Sequence, residues 1–168
     1  SHWRAESKAA GGPVYGRLIN TASEAALLGP GGQANYAAAK SGIIALTVSA
    51  SRALARYGVT ANAICPRART SMTSDVFGDA PSDGVDPLGP EHVVTLVDYL
   101  AGPDAGNVSG QVFVVYGGTV MLMAAPTVEE TFDAVGDAWE SADLTKTLTS
   151  YFAGRDASRT FSASELVD

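Results

Sequence analysis

Apolar residues along this chain fall into short runs whose period changes from run to run, with Gly- and Pro-rich stretches between them. Residues 1–10 place Trp3, Ala5 and Ala9 on one helical face and stop at Gly11-Gly12-Pro13, so they read as the end of a helix that began before the first residue. VYGRLIN (14–20) has strand composition. Residues 21–33 form a loop, because Gly29-Pro30-Gly31-Gly32 supports no regular structure. From Ala34 to Arg56 the pattern is helical, with Ala37, Ser41, Ile44, Ala45, Val48 and Arg52 recurring at three- and four-residue steps, and Gly58 follows as a C-terminal cap. VTANAIC (59–65) is a second strand, stopped by Pro66. The Gly- and Pro-rich stretch 66–90 is a long loop with one helical turn near Met72–Phe77, of the kind that forms lids or binding loops. Pro90 opens a helix with Val93, Val94, Val97 and Leu100 on one face. QVFVVYGG (111–118) reads as a strand buried on both faces. After an apolar 119–125, residues 127–140 and 143–153 have the pattern of two amphipathic helices, and the last ten residues look loose.

The order strand, helix, strand, loop-helix, strand predicts a parallel sheet joined by right-handed crossovers. The fold class is therefore α/β, a doubly wound parallel sheet of Rossmann type. Three strands are too few to complete such a sheet, so the chain is expected to be its C-terminal portion, with the other strands upstream. Residues 1–125 would form the second half of the catalytic domain, and 126–168 a helical C-terminal extension.

Composition narrows the class of protein. Of 168 residues, 46% are hydrophobic and 17% charged, the profile of a packed domain. The net charge of −7 argues against nucleic acid or an anionic membrane as partner. No apolar run approaches the roughly 20 residues that span a bilayer, and the opening SHWRAESKAAGG has no apolar signal core. One cysteine, Cys65, forbids an internal disulfide and suits a reducing compartment, so the expected location is cytoplasmic. His2 and His92 lie far apart, which leaves no histidine-based metal site.

The chemistry concentrates in three residues. Tyr36 and Lys40 stand four apart on the small-residue helix and so project from the same face. Ser23 lies on the loop that leaves the first strand, and in an α/β sheet such loops form the ligand crevice. A phenol is a poor acid or base at neutral pH, but an ammonium one turn away favours the phenolate. A serine hydroxyl can hold and polarise a substrate oxygen beside it. The trio suits proton transfer coupled to hydride transfer at a carbonyl or alcohol carbon.

Residues 16–66, GRLINTASEAALLGPGGQANYAAAKSGIIALTVSASRALARYGVTANAICP, strongly resemble the catalytic half of a short-chain dehydrogenase/reductase. In that family a strand ending in Asn precedes the serine, and a Tyr-x-x-x-Lys helix follows; Asn20, Ser23, Tyr36 and Lys40 match, including the serine-to-tyrosine separation. The resemblance covers residues 14 to 118. It implies that Tyr36 is the general acid/base, that Ser23 positions the reacting oxygen, and that Lys40 holds the nicotinamide ribose and lowers the tyrosine's pKa. It further implies NAD or NADP as cofactor, with NAD preferred, contacts to it from Asn20, Pro66 and Thr70, and a homo-oligomer paired through helix 34–56. Gln33 is a candidate to line the substrate pocket. Pro66-Arg67-Ala68-Arg69-Thr70 departs from the family, with arginine where glycine is common and one residue fewer before the threonine. This variant, Met72-Thr73 and GQVFVVYGGTV resemble the (3R)-hydroxyacyl-CoA dehydrogenase units of multifunctional enzymes, close to reductases of acyl thioesters and steroids. The family's glycine-rich dinucleotide fingerprint is expected upstream of residue 1; neither Gly29–Gly32 nor Gly117-Gly118 follows a strand and opens a helix as that fingerprint must.

Other polar and aromatic residues have plainer expectations. Asn35 would cap its helix, Arg67 and Arg69 would be solvated on their loop, and His92 would be exposed at a helix start. Cys65 would be a buried small hydrophobe, while Trp3, Trp139 and Met121-Leu122-Met123 would pack. Two alternatives to a dehydrogenase remain open: a non-catalytic binding or assembly protein that keeps the fold, and epimerisation or dehydration on the same fold.

Overall fold

The computed structural model describes residues 2–71, 73–163 and 166; Met72, at the start of the expected helical turn, and residues 1, 164, 165, 167 and 168 lie outside the described residues. The chain divides into two compact units, Ser1–Met123 and Ala124–Asp168.

In the first unit, helix α1 (His2–Ala10) precedes strand β1 (Gly16–Thr21). A short α2 (Ala25–Leu28) and the long α3 (Ala34–Leu54) lead to β2 (Val59–Pro66). Next come α4 (Ser74–Phe77), α5 (Glu91–Ala101), β3 (Val112–Tyr116) and β4 (Thr119–Leu122). The sheet order is β1-β2-β3-β4. β1 pairs parallel with β2 from Gly16↔Val59 to Thr21↔Ile64, and β2 pairs parallel with β3. The fourth strand is antiparallel to β3, with Gly117-Gly118 as a two-residue turn in which Gly117 has φ 48°. The apolar stretch after residue 118 thus adds a hairpin to the three strands expected, and the sheet is mixed.

β2 is the central strand, and Val59 through Cys65 are all buried. Its alternation sorts the two faces. Ile64 joins Phe113, Val115, Leu96, Leu100 and Ala105 in a core under α5, with Ile19, Val93 and Val97 at its edge. Ala61, Ala63 and Cys65 point the other way, toward α3, where small side chains let an alanine-rich helix lie close to the sheet. Asn20, beside Ile19 on β1, confirms the division by donating from Nδ2 to the Thr47 hydroxyl of α3 at 2.8 Å. α3 and α5 therefore cover opposite faces while the strands step in one direction from β1 to β3. Two crossovers of the same hand would leave both helices on one face, so one of the two is left-handed, against the expected rule. The long connection 67–90 gives the chain room to change faces.

Two helical faces also differ from expectation. α3 buries Thr47 and Ser51 and leaves Ser41, Ala45 and Arg52 exposed, because in so uniformly small a helix the periodicity barely distinguishes one stripe from the next. On α5 Leu100 is buried as expected, together with Leu96, and Val94 faces out.

The loop after β2 is held by Arg69, which is not solvated. Its Nε donates to Asp86 Oδ2 at 2.9 Å and its Nη1 to the carbonyls of Phe77, at 2.5 Å, and Gly78. Its backbone N–H meets the Leu88 carbonyl at 2.7 Å, and His92, half-buried rather than exposed, bonds the Asp86 carbonyl through Nε2 at 2.9 Å. One guanidinium thus gathers both limbs of the loop. The Arg69 hydrogen bond, helped by the Leu88 N–H, holds the Asp86 carboxyl below its usual range.

In the second unit, helix α6 spans Ser141–Gly154, but 127–140 contains no helix. Val128 and Val135 are exposed, so their burial does not offset the cost of nucleating a helix. Instead Phe132 stacks edge-on against Tyr151 at 5.0 Å, and Glu129 takes a two-pronged bond from Arg155 at 3.0 and 2.9 Å plus the Tyr151 hydroxyl at 3.0 Å. Arg155 first, then Tyr151, pull the Glu129 carboxyl down to about 2. Among the described residues no helix is long and apolar enough to cross a membrane.

Gly58 has φ 79°, and a Cβ there would sit 2.6 Å from the Val14 carbonyl oxygen. Gly58→Ala is expected to cost about 2 kcal/mol or more, read from urea unfolding. Because Asp86 is depressed when folded, its contribution is complete above the unfolded value of 3.8 and is lost as pH falls through the lower folded one. At neutral pH, Arg69→Ala should make residues 70–88 the first site of limited proteolysis, and acidification below that range should do the same to the unaltered chain.

Candidate active site

The carboxyl ends of β1, β2 and β3 are where an open α/β sheet forms its ligand crevice. The chain leaves β1 at Thr21, and the Ala22 N–H extends the ladder to the Ile64 carbonyl at 2.7 Å. It then turns through Ser23 and Glu24 into α2. Ser23 is half-buried; its carbonyl accepts the Ala26 N–H at 3.0 Å and its Oγ accepts the Ala25 N–H at 3.2 Å. With a lone pair of Oγ occupied in that way, the hydroxyl proton is available to a ligand.

Tyr36 stands in the first turn of α3 and is 44% exposed, so its ring borders open space. Lys40 follows one turn later. Its Nζ donates to the Thr21 carbonyl at 3.1 Å and lies 5.7 Å from the centre of the Tyr36 ring. α2 packs on α3, and the Ser41 hydroxyl donates to the Ala26 carbonyl at 3.3 Å. These bonds bring Ser23, Tyr36 and Lys40 to one end of β1. Asn20, near that end, spends its amide on Thr47, whose own hydroxyl donates to the Ile43 carbonyl at 2.8 Å; Asn20 thereby braces the helix that carries Tyr36 and Lys40.

The remaining expected residues are more dispersed. Pro66 ends β2 opposite Val115. Thr70 is exposed, and both its N–H and its hydroxyl engage the Thr73 hydroxyl, at 2.8 and 3.1 Å, within their own loop. Gln33 sits exposed at the N-cap of α3 without a capping side-chain bond; Asn35 is the second helical residue and does not occupy the cap position. Cys65 is wholly buried, and burial, with the Glu24 charge adding and Lys40 opposing, pushes its thiol up to about 12, so it stays neutral.

Arg67 is the site residue that sequence reasoning misjudged. Far from being solvated, its Nε and Nη2 grip the two oxygens of Glu24, each at 2.6 Å, and its guanidinium lies 4.5 Å from the centre of the Tyr116 ring. The Glu24 hydrogen bond holds the Arg67 guanidinium above its ordinary value. The pair is only partly accessible, at 25% and 16%, and two-pronged, so it is worth more than the ~0.2–1 kcal/mol of an exposed ion pair. Glu24 and Tyr116 carried no periodic or motif signal; an acidic residue directly after the serine and an arginine directly after Pro66 were the available hints.

The donors at these strand ends suit the nicotinamide-ribose end of a dinucleotide, where Lys40 offers an ammonium beside the Tyr36 ring. They do not supply a pyrophosphate cradle. Gly29 ends α2, Gly32 precedes α3 and Gly117-Gly118 turn a hairpin, so among the described residues none of these glycines joins a strand directly to a helix N-terminus.

The family model "short chain dehydrogenase" matches residues 9–80. The chain is 59% identical to hydroxyacyl-CoA dehydrogenase ChsB1 of Mycobacterium tuberculosis, over 99% of this chain and 54% of that protein. It is 43% identical to the peroxisomal hydratase-dehydrogenase-epimerase of Saccharomyces cerevisiae, over 59% of this chain and 11% of that one. Among solved structures, a short chain dehydrogenase from Mycobacterium avium superposes with a TM-score of 0.75 at 37% identity, covering 92% of this chain and 50% of the other. The chain thus spans about half the length of both of these mycobacterial proteins. A matching family model over residues 9–80, these relatives and the shared α/β architecture make the chain similar, over nearly its whole length, to short-chain dehydrogenases/reductases.

Proposed function

We propose that this chain carries the catalytic half of an NAD(P)-dependent oxidoreductase that interconverts a secondary alcohol and a ketone, acting on a 3-hydroxyacyl thioester or a steroid. The observation that carries the reading is the Lys40 ammonium, tethered to the Thr21 carbonyl and 5.7 Å from the Tyr36 ring centre, at the strand end that also bears Ser23. The names of the hydroxyacyl-CoA dehydrogenase and of the hydratase-dehydrogenase-epimerase support the acyl thioester; NAD is taken as the cofactor in preference to NADP.

In the reducing direction the Ser23 hydroxyl donates to the substrate carbonyl oxygen, and the Tyr36 hydroxyl delivers its proton to that oxygen as the alcohol forms. In the oxidising direction the Tyr36 oxygen takes that proton back while Ser23 keeps its hydrogen bond to the reacting oxygen. Lys40 stabilises the charge left on the Tyr36 oxygen and presents its remaining protons toward the ribose position. The chemistry that a bound nicotinamide dinucleotide supplies is hydride transfer. Asn20 keeps α3 seated, Pro66 and Thr70 border the nicotinamide position, and Gln33, one turn before Tyr36, faces the substrate side. The outward positions Ala38, Ala39, Gly42, Ala45, Leu46, Ser49 and Ala53 of α3 are exposed, which supports pairing with a second copy in a homo-oligomer. A lone, buried cysteine supports a cytoplasmic setting.

The test uses the full-length protein with a 3-oxoacyl thioester and a steroid ketone, each with NADH and NADPH. Tyr36→Phe is expected to lower kcat by about 10²–10⁴-fold while dinucleotide binding persists. Full activity in that variant would remove Tyr36 from the chemistry, and the absence of any redox turnover in the unaltered protein would leave the fold without this reaction.

A further inference from the structure

We infer that Arg67 is a positioning residue for the Ser23 hydroxyl, acting through the carboxylate of Glu24. The inference rests on the oxidoreductase reading, in which Ser23 holds the substrate oxygen.

The argument starts from what Arg67 joins. It directly follows Pro66 at the carboxyl end of β2, and its N–H continues the ladder to the Val115 carbonyl at 3.0 Å. Its backbone is therefore fixed by the sheet. From that base the side chain reaches the loop beyond β1, where Nε and Nη2 bond Glu24 Oε2 and Oε1, both at 2.6 Å. The plane of the guanidinium is held from the third strand, by the Tyr116 ring at the end of β3. One side chain thus ties together the carboxyl ends of all three parallel strands, and it lies at the crevice rather than in the body of the sheet.

Glu24 is bonded to Ser23 and is the N-cap residue of α2, with its carbonyl accepting the Leu27 and Leu28 N–H groups, each at 2.8 Å. It makes no side-chain cap of its own, because its carboxylate is turned to Arg67. Fixing Glu24 at both ends fixes the turn in which Ser23 Oγ takes the Ala25 N–H. Without the grip, that turn is held by Ser23's own hydrogen bonds and the short α2, a single helical turn whose isolated stability is negligible. A two-pronged bond restricts rotation as well as distance, which a lysine's point charge does not. The pair also matters for charge. Glu24 lies near enough to the active end of the sheet to act on Cys65 together with Lys40, and Arg67 neutralises it there.

The experiment is a double-mutant cycle of Arg67→Lys and Glu24→Gln in the full-length protein, with Tyr36→Phe alongside. Each single variant is expected to lower kcat by about 10- to 100-fold, the size of effect that follows from misplacing a reacting group. KM for the dinucleotide should hold, and the double variant should be no worse than the poorer single one. Amide hydrogen exchange should quicken at Ala25, Ala26 and Leu27 while the amides of β2 and α3 keep their protection. An unchanged kcat in Arg67→Lys, additive losses, or exchange that quickens throughout the sheet would overturn the inference. If Arg67→Lys is fully active and Tyr36→Phe is dead, the inference fails and the oxidoreductase reading stands. If Tyr36→Phe is active, that reading fails, and localised exchange at Ala25 to Leu27 still reports whether Arg67 holds the turn.

Discussion

A lysine ammonium on a backbone carbonyl fixes the relation between helix and sheet on which this unit depends. Lys40 projects from α3 and Thr21 closes β1, so their 3.1 Å bond ties the start of the helix to the end of the strand. The tyrosine one turn earlier inherits that placement. A helix lined with Ala, Gly and Ser has few large side chains to lock its rotation by interdigitation. Polar anchors do that work instead, with Lys40 at one point and the Asn20–Thr47 bond further along. Both reach β1, and both lie on the face that the helix presents to the sheet.

The second constraint is the arrangement of three loops at the strand ends. Two arginines, two residues apart, divide the task. Arg67 turns back toward the loop after β1, and Arg69 turns forward to gather residues 77 to 88. Residues two apart on extended backbone share a face, so it is their partners, Glu24 and Asp86, that draw the two side chains apart. A family pattern with glycine at position 67 leaves the backbone bare at that point; here a large cation spans the crevice floor from the serine loop to Tyr116. The left-handed crossover belongs to the same region, because the connection that Arg69 clamps is the one that carries the chain from the α3 face to the α5 face.

Much of the fold was legible along the chain. The β-branched runs at 59–65 and 111–118 and the valine and leucine repeat of α5 declare themselves, since burial in a parallel sheet demands continuous apolar sequence. The Tyr36–Lys40 spacing was equally plain, because a four-residue step on a helix fixes a shared face. What misled were places where local pattern met no partner. Residues 127–140 have helical spacing, but Val128 and Val135 are exposed, and Glu129 and Phe132 bind α6 side chains instead. Within α3, nearly every position is small, so several stripes score alike and only the sheet chooses between them.

The amino-acid sequence by itself determined strands β1 to β3, helices α3 and α5, and the shared helical face of Tyr36 and Lys40, because each follows from residue type at short and regular spacing. Tertiary structure decided which stripe of α3 turns inward, on which face α5 lies, and that Arg67 and Arg69 are structural clamps rather than solvated charges. Those outcomes join residues such as Glu24 and Arg67 that lie far apart along the chain, where no local period encodes the pairing; only the packed sheet, by bringing its strand ends together, lets such charges meet.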